Sequence, residues 1–282
     1  MSGERITCKL AHGGVYLEIP QFNIAQIADS GQCFRISPVS SPVSGYVAVT
    51  GRHYTVIEPF GNGYVFHCSF DEFRDVWIPY FDLATDYGVY QEKMVGDPFL
   101  MAAVEHGGGI RMLRQDLWEM AVTYVISQRN NIPRIRSAVE TLCREFGTPL
   151  GEIGGNTVYS FPVAEQLRGK DLSCASLGYR EKYIKALCDV RPDFWEQLKK
   201  QDDAKAKQAL LDLNGVGEKV ANCVMLFGLH RMDSYPRDVW INRLIDDVYG
   251  GEFDPTRYAG FAGYVQQLQF YHYRQLSKEA GA

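Results

Sequence analysis

Two hydrophobic rhythms divide the chain. Over roughly the first hundred residues, apolar positions come in short β-branched and aromatic runs, GYVAVTGRHYTVIEP (45–59) and NGYVFHCSF (62–70), broken by Gly, Pro and Asn. Runs of this kind bounded by turn residues predict strands. From about Ile110 the period changes. Leu113, Leu117, Met120 and Tyr124 recur at spacings of three and four, as do Ile132, Ile135, Val139, Leu142 and Phe146, with Gly147 as a stop. That periodicity predicts amphipathic helices over 111–128 and 131–146. Further helices are expected over about 162–167, 179–190, 193–201, 204–213, 218–229, 239–248 and 260–276, joined by short Gly, Pro or Asp connections. No internal repeat or low-complexity segment interrupts the pattern. It predicts an α+β fold, with an antiparallel β-rich domain over residues 1–110 packed on an all-helical body over 111–282.

Composition narrows the class. Hydrophobic residues make up 46 % and charged residues 22 % of the 282, as in ordinary globular chains. No apolar run reaches the roughly 18–20 residues that a spanning helix needs, which excludes a membrane-spanning helix. The opening MSGERITCKL lacks an apolar stretch of signal-peptide length, so a cytoplasmic setting of bacterial type is expected. The seven cysteines are then expected to be reduced. They form no C-x2-C pair, and the six histidines (His12, His53, His67, His106, His230, His272) are equally scattered, so no metal site is expected. The net charge of −5 is uneven. Residues 1–100 carry 6 basic and 11 acidic side chains, which leaves 23 of each in 101–282, and Arg168–Lys185 holds five basic residues against two acids. A local basic face can neutralise phosphates on an acidic protein, because counterion release depends on the contacted patch.

The stretch LLDLNGVGEKVANCVMLFGL joins two expected helices through Leu213-Asn214-Gly215-Val216-Gly217. Gly215 and Gly217 permit positive φ and bare the backbone N–H groups beside Val216, at a helix N-terminus whose dipole favours an anion. This is a helix-hairpin-helix signature suited to gripping a phosphate. Lys219 falls in the first turn of the second helix, where the dipole disfavours a cation and so favours the free amine that attack on carbon requires. Cys223 lies one turn on, on the same face. Nineteen residues beyond Lys219, Asp238 in Tyr235-Pro236-Arg237-Asp238-Val239-Trp240 is placed to cap the next helix. A rigid carboxylate beside a sugar can also stabilise positive charge at an anomeric carbon. Taken singly, these residues also fit a glycine-capped αα-hairpin and a surface lysine, and Asp238 alone reads as an ordinary capping carboxylate.

Together they resemble the 8-oxoguanine DNA glycosylases of the helix-hairpin-helix superfamily. The matches run in the family's order: Ser30-Gly31-Gln32-Cys33-Phe34-Arg35, Asn130-Asn131-Ile132-Pro133-Arg134-Ile135, Leu177-Gly178-Tyr179-Arg180, Gly215-Val216-Gly217-Glu218-Lys219, Pro236-Arg237-Asp238-Val239, and Gln266 with Phe270. The resemblance implies that Lys219 attacks the sugar C1′ and forms a Schiff base while Asp238 assists proton transfer. Gly31 is expected to offer its carbonyl to the N7–H that distinguishes 8-oxoguanine from guanine. Gln266 and Phe270 are expected to hydrogen-bond and stack on the flipped base, with Cys223 in the same site. Arg134 and Arg180 would read the estranged cytosine, Tyr179 would wedge into the gap, and Asn130 and Arg129 would stand beside it. Two positions depart from the family: Arg129 replaces an asparagine, and Trp240 stands where some members have a phosphate-contacting histidine.

The expected function is therefore a bifunctional glycosylase and AP lyase that acts as a monomer on double-stranded DNA containing an oxidised purine. No cofactor is implied, although the hairpin carbonyls offer a seat for a monovalent cation. The rival readings are a monofunctional alkylated-base glycosylase, which uses water in place of the lysine, and a non-catalytic helix-hairpin-helix DNA-binding protein.

Overall fold

A computed structural model describes residues 7–11, 13–41 and 43–279. The leader reading of residues 1–6 and the histidine at position 12 lie outside them. The strands form where the β-branched runs predicted them, and three more precede them: β1 (Thr7–Ala11), β2 (Gly14–Glu18), β3 (Ile36–Val39), β4 (Gly45–Thr50), β5 (His53–Phe60) and β6 (Gly63–Phe66). They make one six-stranded sheet in the order β1-β2-β6-β5-β4-β3, antiparallel at β1–β2, β2–β6, β6–β5 and β4–β3. Its inner face contributes Val15, Leu17, Ile36, Ala48, Ile57 and Phe66 to a core shared with Ile24 and Ile27 of helix α1 (Ile24–Asp29). Phe73, Trp77 and Phe81 complete that core from a helical stretch built of α2 (Phe70–Glu72), a π-helical turn and α3 (Ile78–Tyr80).

The first hundred residues are less strand-rich than the sequence led one to expect. Besides α1 they hold α4 (Tyr87–Glu92) and α5 (Pro98–Gly107). The start signal of α5 is legible in retrospect: Asp97 caps it by accepting the Leu100 N–H at 3.1 Å, and Pro98 fills the first turn, where a missing N–H does no harm.

A second compact unit comprises residues 49–54 and 115–231. At its centre is α6 (Leu117–Ile126), buried at nine of its ten positions, followed by α7 (Ile132–Phe146), which Asn131 caps through the Arg134 N–H at 3.0 Å. Each apolar side chain of α6 that leaves water contributes roughly 1.5–3 kcal/mol. This unit is not all-helical as expected. A hairpin of β7 (Pro149–Ile153) and β8 (Asn156–Tyr159) turns at Gly154 and Gly155, whose φ values of 57° and 79° suit a tight hairpin turn. The helical run then resumes with α8 (Ala164–Leu167), α9 (Glu181–Cys188), α10 (Pro192–Lys200), α11 (Asp203–Leu211) and α12 (Glu218–Phe227).

The chain then returns to the first unit with α13 (Val239–Tyr249) and α14 (Ala262–Glu279). Residues 232–282 belong to the same unit as 1–48 and 55–114. The boundary expected near residue 110 therefore marks where the chain leaves the first unit and does not divide the molecule in two. Periodicity identifies α13 and α14 as helices but cannot say which core receives them; α14 settles it by packing along α5. No helix among the described residues is long and apolar enough to cross a membrane.

Candidate active site

In the first unit, α1 ends at Asp29 and the chain reverses through Ser30-Gly31-Gln32. Gly31 has φ 82°, a conformation that only glycine adopts without strain. Both its neighbours are pinned. The Ser30 carbonyl accepts Gln267 Nε2 at 2.5 Å, while buried Gln32 donates to the Arg111 carbonyl and accepts the Leu113 N–H, each at 2.9 Å. Arg111 is itself buried and donates to the carbonyls of Phe81 at 3.1 Å and Asp82 at 2.8 Å, so the loop is tied to a rigid segment.

On α14, Gln266 and Phe270 share one face. Gln266 is 5 % exposed, and its Oε1 has no hydrogen-bond partner among the described residues. An acceptor buried in this way costs about 1–3 kcal/mol until a donor reaches it. Phe270 is half-buried against Ile241, Leu244 and Ile245 of α13, so its role as a core aromatic holds for part of the ring. Asp238 caps α13, its Oδ1 accepting the Ile241 N–H at 2.9 Å, and is half-buried. The approach to it is fixed by Tyr235, which donates to Gln269 Oε1 at 2.5 Å and whose burial pushes its phenol well above the usual range.

In the second unit the hairpin between α11 and α12 forms as expected. Gly215 has φ 89°, its carbonyl accepts Gln128 Nε2 at 2.8 Å, and Val216 is buried beside it. A Cβ at 215 would lie 2.3–2.6 Å from atoms of Tyr183. Gly217 precedes α12 and supplies no side-chain cap to its first-turn N–H groups. Gly215→Ala is expected to cost about 1–3 kcal/mol of stability and to weaken DNA binding, because the strained φ and the clash fall on one position. Chemical denaturation and a duplex-binding titration check this; a stable variant with wild-type affinity would show that the turn tolerates a side chain.

Lys219, in the first turn of α12, is half-buried. Its Nζ donates to Ser127 Oγ at 2.8 Å and stands 5.2 Å from the centre of the Tyr124 ring, which is stacked on Phe227. The adjacent Glu218 turns to Lys207 at 2.8 Å, and among the described residues the Lys219 amine has no carboxylate partner. Cys223, one turn on, is buried.

The residues expected around an estranged base gather at the turn from α6 to α7, except Arg134. Arg180 donates through Nε to the Gln128 carbonyl at 2.8 Å, and through Nη2 to the same carbonyl and to that of Arg129 at 3.0 Å. Its guanidinium carbon lies 4.7 Å from the centre of the Tyr179 ring, which is 46 % exposed. Asn130 donates to the Ile126 carbonyl at 3.1 Å, and Arg129 is exposed with φ 46°. Arg134 stands exposed on the first turn of α7.

The family model for the 8-oxoguanine DNA glycosylase N-terminal domain matches residues 15–121. The structure described as MBOgg1 in complex with a low-affinity DNA ligand is similar at a TM-score of 0.88 and 31 % identity, covering 97 % of this chain and 99 % of that one. This chain belongs to the 8-oxoguanine DNA glycosylase family. The Clostridium acetobutylicum 8-oxoguanine glycosylase/lyase, solved with duplex DNA carrying cytosine opposite 8-oxoguanine, matches at a TM-score of 0.85 and 26 % identity over 100 % of both chains. The N-glycosylase/DNA lyase of Saccharomyces cerevisiae is 35 % identical over 158 residues, 50 % of this chain and only 42 % of the yeast protein.

Against the family's asparagine, Arg129 now has a physical description. It holds a left-handed backbone that asparagine tolerates far better than arginine does. Trp240, the second departure, is half-buried; its ring packs edge-on to Tyr273 at 6.4 Å and lies 5.9 Å from the Arg243 guanidinium carbon. Sequence reasoning missed Ser127 and Tyr124 beside the amine, Gln128 under the hairpin, and Gln32 and Gln267 around Gly31. No spacing pattern marks them, since each meets its partner across a long stretch of chain.

Proposed function

We propose that this 8-oxoguanine DNA glycosylase family member binds duplex DNA as a monomer, flips out 8-oxoguanine, excises it through Lys219 and then nicks the strand. The observation that carries this reading is the Lys219 amine, half-buried, held by a neutral hydroxyl and an aromatic face, with no carboxylate partner among the described residues. With no carboxylate to hold it in an ion pair, the amine is free to leave its hydroxyl partner and reach a substrate carbon as a nucleophile, whereas a lysine that serves only as a phosphate contact needs no such seat. In the proposed reaction Nζ bonds to C1′ as the C1′–N9 bond breaks, with the electron pair leaving on the base. Ring opening gives a protonated Schiff base, and loss of a C2′ proton then expels the 3′-phosphate. Asp238, fixed by its capping bond, stabilises the positive charge at C1′.

Base selection follows from donor and acceptor matching. The unpartnered Gln266 Oε1 suits the N–H groups on a guanine-type Watson–Crick edge, Phe270 offers a stacking face, and the Gly31 carbonyl accepts an N7–H. Cys223, one turn beyond Lys219 on α12, is assigned to base recognition as well. Tyr179 is the wedge, Asn130 fills part of the vacated stack, and Arg134 and Arg180 address the estranged cytosine. The hairpin amides of Gly215, Val216 and Gly217 hold phosphate. The proposed setting is the cytoplasm, in keeping with seven cysteines none of which is in a disulfide.

The deciding experiment incubates the protein with a duplex bearing one 8-oxoguanine opposite cytosine, with and without borohydride. A trapped covalent adduct with base release supports the reading. Base release without trapping replaces it with a monofunctional enzyme, and binding alone with a DNA-binding module.

Arg129→Asn tests the opposite-base assignment. The variant is expected to gain about 1 kcal/mol of stability from relief of the left-handed backbone. It is also expected to discriminate more sharply for cytosine and to show weaker salt dependence of binding, because an exposed guanidinium stacks on any base or reaches phosphate. Single-turnover excision opposite each of the four bases, with thermal melting, checks both parts. Unchanged discrimination in the variant would remove Arg129 from the opposite-base site.

A further inference from the structure

Arg274 lies one helical turn beyond Phe270 and two beyond Gln266, so the three share a face of α14. Its side chain is only 6 % exposed, yet its Nη2 stands 2.7 Å from Asp29 Oδ2 and also donates to the Asp29 carbonyl. Its guanidinium carbon is 5.4 Å from the centre of the Phe270 ring. Nε and Nη1 are buried without a hydrogen-bond partner among the described residues. Packing alone does not explain this arrangement, because a methionine or leucine would fill the space without burying unpaired donors. A planar cation, however, can hold two things at once: the last residue of α1, from which the Gly31 loop departs, and the face of an aromatic ring. Neighbouring residues strengthen the first tie. Gln275 Nε2 donates to Asp29 Oδ2 at 2.9 Å, and Gln267 Nε2 holds the Ser30 carbonyl at 2.5 Å, so both residues before Gly31 are anchored to α14.

We infer that Arg274 is a positioning residue for base recognition, setting the Gly31 carbonyl and the Phe270 ring at a fixed separation and holding the ring rigid for stacking. The inference rests on the function proposed above, in which Gly31 and Phe270 hold the flipped base. A slot for a planar base works only if its walls keep their spacing, and misplacement by about 1 Å can cost on the order of 10²-fold in rate. Arg274 braces the groups that read the base, whereas Lys219 stands on α12 of the second unit. The loss of Arg274 therefore falls on base excision and spares Schiff-base formation at a sugar that has already lost its base.

The test compares wild type, Arg274→Met and Arg274→Lys by thermal melting, by single-turnover excision of 8-oxoguanine opposite cytosine, and by borohydride trapping on a duplex with a preformed abasic site. Arg274→Met is expected to lose about tenfold or more in excision. Arg274→Lys, which keeps the charge for Asp29 but not the plane for Phe270, should lose about threefold to tenfold. Both should remain folded and trap on the abasic duplex within about twofold of wild type. Unchanged excision in Arg274→Met, or equal losses on both substrates, would overturn the inference. If Arg274→Met does not fold, wild-type excision by Arg274→Lys overturns it instead. A wild-type protein that neither excises nor traps would overturn the proposed function itself, a result read before any variant.

Discussion

Lys219→Gln is expected to abolish both borohydride trapping and base excision while lesion binding stays within a few fold of wild type. Glutamine has no amine to form a Schiff base, so the covalent step is lost outright. The fold should tolerate the change. The side-chain amide can still donate to Ser127 Oγ, and removing a cation from the first turn of α12 relieves an unfavourable interaction with the helix dipole of about 0.3–1 kcal/mol. The hairpin groups proposed to seat phosphate, the Gly215 turn and the uncapped N–H groups of α12, do not depend on the amine. Three measurements on one preparation decide the matter: duplex affinity, single-turnover excision and adduct trapping. Wild-type excision without trapping would assign the attack to water and leave Lys219 as a phosphate contact. Residual trapping would point to a second amine.

Asp238→Asn should separate a cap from a catalyst. Asparagine caps helices about as well as aspartate, and its Oδ1 can accept the same Ile241 N–H. What the variant loses is the charge. At the N-terminus of α13 that charge is worth about 0.3–1 kcal/mol through the dipole, so thermal stability should fall only slightly. Against developing positive charge or a proton in flight, a positioned carboxylate is worth about 10²–10⁴-fold in rate. Excision should therefore drop by that order while the melting temperature barely moves, and Lys219-dependent trapping should slow in parallel. Losses of stability and activity in proportion would make the carboxylate purely structural and would require another group to stabilise the sugar.

Sequence patterns located most elements because each rests on local signals. α12 begins at Glu218 and α13 at Val239, where the Gly217 turn and the Asp238 cap placed them, and the strands over residues 45–66 follow the β-branched runs. The errors were also local in origin. The β-rich reading of the first hundred residues does not contain α4 and α5, although Asp97-Pro98 is a start signal, and the Gly154-Gly155 turn that makes β7–β8 a hairpin falls between the helices expected over 131–146 and 162–167, in a body expected to be all-helical.

The chain order of its residues determined that this protein carries a glycine hairpin, a lysine one turn into the following helix and a capping aspartate, because turns, caps and helical faces depend on residues within about one or two turns of each other. It also determined which side chains of α14 share a face. Only the tertiary structure decided what surrounds them. Lys219 meets Ser127 across 92 positions, Gln267 meets Ser30 across 237, and Arg274 meets Asp29 across 245. Tertiary packing likewise assigned residues 232–282 to the unit that begins the chain. Periodicity shows that a helix has an apolar face but not which core will bury it, since burial is non-directional and favours any partner of matching shape.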